Sequence, residues 1–161
     1  MINRKLLGIY LNDHLAGSTA GMEVARRAAG SNKGTSYGAF LRKLAKEIEQ
    51  DRDSLKDLMK RLEFREDIPK KVGAWAFEKV GRLKPNGQLT GYSPLSRVVE
   101  LEGLALGVTA KLALWKALRD LVDEEPRLDA PELDRLRERA ERQQAELEEH
   151  RLRATGEAFR A

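Results

Sequence analysis

The chain contains no cysteine. That excludes disulfides, thiolate metal sites and a cysteine nucleophile. It also fits a reducing compartment, so a cytoplasmic location is expected. Aromatic residues are scarce, at 6%, which leaves little with which to stack nucleic-acid bases, and specific nucleic-acid binding is not expected. No stretch approaches the roughly 20 consecutive apolar residues of a membrane span, so no membrane segment is expected. The opening Met1-Ile2-Asn3-Arg4-Lys5 resembles the basic start of a secretory leader. The apolar run behind it is broken by Asn12-Asp13-His14 and continues as an amphipathic helix, so no leader is read. No segment carries strand alternation, so no glycine-rich phosphate loop can follow a strand. Ser18, Ser54, Ser93 and Ser96 have no role beyond caps or surface positions, and no catalytic residue is expected.

What the chain does have is helix-forming residues. Hydrophobic residues make up 41% and charged residues 35% of 161, and Leu, Ala, Glu, Lys and Arg dominate. Unbranched side chains lose little rotamer freedom in a helix. The length suits one domain over 1–161. Apolar and small residues recur at alternating three- and four-residue steps in five segments. The first runs over about 4–29 through Leu7, Leu11, His14, Ser18, Gly21 and Ala25. After the turn-rich 30–35, Thr35 or Ser36 caps the second, 36–63, whose stripe is Leu41, Leu44, Ile48, Asp51, Leu55 and Leu58. A shorter third covers about 68–83, with Pro69 in its first turn and Trp75 on its apolar side. Ser93-Pro94 opens the fourth, about 94–122 and the most apolar. The fifth starts near Asp129 or Ala130 and reaches about 157, with a thin stripe of Leu133, Leu136, Ala140, Gln143, Leu147, His150 and Ala154. This highly charged last segment, 127–161, is open to three readings: packing on the bundle edge, pairing with a second chain, or fraying.

Short loops make neighbouring helices antiparallel, so levels along the bundle follow from counting away from each turn. His14 and Asp51 share a level, and a hydrogen bond between them is the plain expectation for a buried carboxylate. Glu102 and His150 share another. Two histidines with Asp51, Glu47 and Glu102 are a chemically reasonable set for iron or manganese. At 1.5 Å rise per residue, however, the two His–acid levels stand roughly 12 Å apart.

Gly17 and Gly21 lie one turn apart on the first helix, and Gly103 and Gly107 one turn apart on the fourth. Counted from the turns, Gly17 faces Gly107 and Gly21 faces Gly103. Four mid-helix glycines ask for a reason. Close backbone approach is the preferred one. The other is a cavity bordered by Ser18, Glu47 and Glu102, able to hold a small ligand or receive Trp75.

The charges also sort by level. Arg26, Arg27, Lys33, Arg42 and Lys43 fall near the first turn, and Lys79, Arg82, Lys84 and Arg97 near the loop before Ser93, while acids gather at the far end. A basic end facing an anionic partner, or the acidic end of another copy, is therefore expected.

Two long antiparallel hairpins joined by a crossover with a shorter helix resemble the ferritin-like superfamily over most of the chain. The resemblance implies an all-α antiparallel four-helix bundle with five helices in all. Di-iron members of that family carry Glu-x-x-His motifs. This chain has Glu47-x-x-x-Asp51 and Glu146-x-x-x-His150 instead, which implies a relative without a working di-iron centre. Two functions follow. One is a non-catalytic bundle acting through surface contacts as a homo-oligomer or with a protein or anionic partner, needing no cofactor. The other is a bundle holding iron, manganese or a small ligand in its interior.

Overall fold

A computed structural model of the chain describes residues 1–67 and 91–160. Among them are four helices and no strand: α1 (Arg4–Ser31), α2 (Ser36–Arg61), α3 (Pro94–Asp120) and α4 (Ala130–Phe159). The segment 68–83, expected to form a short helix, lies outside the described residues, as do Trp75, Lys79, Arg82 and Lys84.

The caps explain the boundaries. Asn3 accepts from the Leu6 N–H, Thr35 from Gly38 and Ser93 from Ser96, each satisfying an otherwise free first-turn donor. Pro94 and Pro131 sit in first turns, where the missing N–H costs nothing. Glu63, at φ +58°, turns the chain out of α2, and the Phe64 N–H bonds back to the Met59 carbonyl at 2.8 Å.

α1 packs on α2 and on α3, and α4 packs on α3 and α2. The apolar stripes meet in one core, with Leu11, Leu15, Leu58, Leu118, Leu133 and Leu147 wholly buried. Full burial of one such side chain stabilises by about 1.5–3 kcal/mol. The stripe of α4 is buried in this core, His150 excepted.

Cross-links at each end fix the helix directions. At one end the Asn32 amide donates to the Tyr92 hydroxyl, and Arg97 pairs with Glu157. At the other, Arg127 pairs with Glu63 and the N-terminal ammonium with Glu124. α1 therefore runs toward the Asn32 end, α2 and α3 run away from it together, and α4 returns.

The turn at the Asn32 end is tight. Asn32 is buried, and its carbonyl accepts from the Thr35 N–H and hydroxyl. A Cβ on Gly38 would stand 2.2 Å from that oxygen, so this glycine is dictated by close approach.

Candidate functional site

A cavity of about 380 Å³ lies between α1 and α3, with His14, Asp51 and the four glycines all in its lining. α1 contributes Tyr10, His14, Gly17 and Gly21. α3 contributes Gly103, Gly107, Lys111 and Trp115. Asp51 and Leu55 of α2 lie among its lining residues.

The glycines explain the space. A Cβ added at Gly17, Gly21, Gly103 or Gly107 meets nothing within 4 Å among the described residues. Close backbone approach, the preferred expectation, is therefore corrected among the described residues: Leu104, Val108 and Trp115 of α3 line the space between the helices, and the glycine positions border that space rather than touch. The expected border also changes. Ser18 lines the cavity, whereas Glu47 and Glu102 do not.

Asp51 anchors the polar side of this level. It is 2% exposed, and its carboxylate meets two cations: Lys111 Nζ at 2.5 Å from Oδ2 and Arg139 Nη2 at 2.5 Å from Oδ1. Lys111 also donates to Gln143 Oε1 at 2.5 Å. Gln143, wholly buried, donates in turn to Glu47 Oε2 at 2.9 Å, and Glu47 takes a second bond from Arg142 at 3.0 Å. One polar chain thus ties α2, α3 and α4 together. Burial pushes the Lys111 ammonium below its ordinary range, against the pull of Asp51.

The expected His14–Asp51 bond is not formed. Both residues line the cavity, but long side chains from α3 and α4 occupy the carboxylate. His14 instead meets Tyr10 edge-on, with ring centroids 4.5 Å apart. Burial lowers its pKa, opposed by the nearby Asp13 carboxylate. Burial also raises that of the Tyr10 hydroxyl. Glu102 and His150 do not pair either. Glu102 is exposed and lies 3.6 Å from Arg151, while His150 stacks on Phe40 at 3.9 Å and its Nδ1 contacts the Glu146 carbonyl.

The five proposed ligands therefore do not converge. Among the described residues no three His, Asp or Glu side chains are grouped to hold a metal. The donor chemistry does not fit iron or manganese at Asp51, because a dication there would stand beside both Lys111 and Arg139.

The chain matches no protein-family model, no curated protein and no solved structure.

The basic end divides into two sets. Arg26 pairs with Glu49, Arg27 with Glu100 and Lys43 with Glu146. Arg97 is held by Asn32 Oδ1 and Glu157 and lies over the Tyr37 ring, 4.5 Å from its centroid. These arginines and this lysine cross-link helices. Lys33 and Arg42 are exposed and, with Arg26 and Lys46, border a shallow groove between α1 and α2. Among the described residues no helix is long and apolar enough to cross a membrane.

Counting levels did not find Lys111, Arg139, Tyr10 or Trp115. Asp51 was a signal for the first two, since a lone carboxylate on an apolar stripe demands a cation from a neighbouring helix. Lys111 carries a second signal. It interrupts the α3 stripe between Val108 and Trp115, where a charged group has to turn inward or leave the face open.

Proposed function

We propose that this chain is a helical bundle that binds a small, uncharged, largely apolar molecule in the cavity between α1 and α3. The observation that carries this reading is the set of four mid-helix glycines along the cavity that no packing contact among the described residues requires. Each costs about 0.5–1 kcal/mol of helix stability relative to alanine, and what they keep is space. At about 380 Å³, the cavity is roughly two and a half times the ~150 Å³ that holds benzene in an engineered core. A bicyclic ring system is of that order. The lining supports an uncharged ligand. Lys111 pairs with Asp51 at 2.5 Å, the other charged lining residues, Asp13 and Arg52, are of opposite sign, and His14, Tyr10 and Ser18 offer hydrogen-bonding groups beside walls that are mostly apolar.

The parallel run of α2 and α3 supports a ferritin-like connection of the two hairpins, the class with one crossover. On this reading the bundle interior serves a small molecule rather than a di-iron centre.

The test uses the full chain and 1-naphthalenemethanol, measured by calorimetric titration and by thermal shift. Saturable binding is expected, with a melting temperature that rises with ligand concentration. Gly107→Leu, which fills the cavity, is expected to abolish both. No binding by the native chain, or equal binding by the filled variant, would refute the assignment.

A second reading rests on the groove bordered by Arg26, Lys33, Arg42 and Lys46, where Glu49 is the one acid among the described residues. It is an anionic-partner surface, tested by the salt dependence of binding to a polyanion such as heparin. Charge reversal at Lys33 and Arg42 should remove that dependence.

A further inference from the structure

We infer that Lys111 is a covalent capture point for an uncharged aldehyde or ketone entering the cavity, held as a protonated imine against Asp51. The inference rests on the cavity reading above and adds to it a chemical class of ligand and a bond.

Three observations support it. Lys111 lines the cavity with a side chain only 12% exposed, among glycines, Val108, Leu104 and Trp115. Its Nζ is held from two directions, by Asp51 Oδ2 and Gln143 Oε1, each at 2.5 Å. An ammonium has three N–H bonds, so one is left over by those two partners. Desolvation in apolar surroundings favours the neutral amine, the nucleophilic form.

The electrostatics favour an imine over other modifications. Acylation of Lys111 would remove one of the two cations that meet the buried Asp51 carboxylate, leaving Arg139 alone against it. Imine formation does not. The ammonium passes one proton to Asp51 Oδ2, and the freed lone pair attacks the carbonyl carbon. The carbonyl oxygen, protonated twice in the course of addition and dehydration, leaves as water. Ammonium plus carbonyl becomes iminium plus water, with no net proton released and the positive charge still facing Asp51. Asp51 Oδ2 gives that proton to the departing oxygen and the nitrogen gives it a second, so Asp51 ends as the carboxylate it began as, with Arg139 still on its other oxygen.

The experiment incubates the full chain with 1-naphthaldehyde and cyanoborohydride at pH 7, followed by intact mass and peptide mapping. A lowered amine pKa raises the neutral, reactive fraction, and the cavity holds the aldehyde beside Nζ. Lys111 should therefore be reductively alkylated faster than exposed Lys5, Lys33 and Lys60. Labelling at Lys111 should be suppressed by excess 1-naphthalenemethanol, and in Gly107→Leu it should fall to the surface rate. Lys111→Met should lose the fast site; if that variant fails to fold, the competition and the filled variant carry the test. Binding of the alcohol with Lys111 labelled no faster than the surface lysines would overturn covalent capture and leave the ligand site intact. Neither binding nor labelling would overturn the ligand site, and the inference with it.

Discussion

Replacing Gly17, Gly21, Gly103 and Gly107 together by alanine should make this protein more stable. All four lie in helix interiors, two in α1 and two in α3. None has a positive φ, and an added Cβ meets nothing within 4 Å among the described residues. The steric cost is therefore close to zero, and the helix-propensity gain of about 0.5–1 kcal/mol per site remains. The methyls do not share partners, so the gains add to about 2–4 kcal/mol. For a chain of this length 1 kcal/mol moves the melting temperature by about 2–4 °C, giving a rise of roughly 4–16 °C. Urea unfolding checks it: the midpoint should rise with little change in slope, since nearly the same surface is exposed. The same variant should bind 1-naphthalenemethanol more weakly, because four methyls project into the ligand space. A quadruple variant no more stable than the native chain would refute the reasoning, since it would show that bare backbone at these positions is needed for packing.

The opposite outcome is expected at Gly38→Ala, where the new Cβ falls 2.2 Å from a pinned carbonyl; a loss of about 1–3 kcal/mol should appear in urea titration. Asp51→Ala leaves Lys111 and Arg139 facing one another across a buried site and should cost about 3–5 kcal/mol by the same measurement. His14 titrates with a known sign. Burial depresses its folded pKa below the ordinary histidine value of about 6.5, so the unfolded chain binds the proton more readily. Its contribution to stability is present above that value and is lost as pH falls through the folded pKa. Stability measured across this window should show that slope, and His14→Gln should remove it.

Much of the fold was written in the helix stripes. The expected 4–29 and 36–63 compare with Arg4–Ser31 and Ser36–Arg61, and the caps at Thr35 and Ser93 stand where short polar side chains precede apolar periodicity. Counting from the turns also paired His14 with Asp51 and each glycine of α1 with one of α3, and all six line the cavity. That arithmetic follows backbones, and it failed where long side chains decide the contacts. Lys111 and Arg139 reach Asp51 from Cα positions on other helices. Glu102 lies opposite Arg151 rather than His150 because one residue of rotation turns a side chain by about 100°. Whether facing glycines touch or leave a void depends on how far their bulky neighbours hold the helices apart. No spacing rule within one helix contains that distance.

The cavity lies on the seam between two hairpins, which has a kinetic consequence. Most close packing is between α1 and α2 or between α3 and α4, neighbours joined by short turns. Such local structure forms early, and docking of one hairpin on the other closes the longer loop. The ligand space exists only after docking. A molecule bound there therefore stabilises contacts that the folding transition state has yet to make. It should lengthen the lifetime of the assembled bundle by slowing its opening, and leave the speed of assembly nearly unchanged.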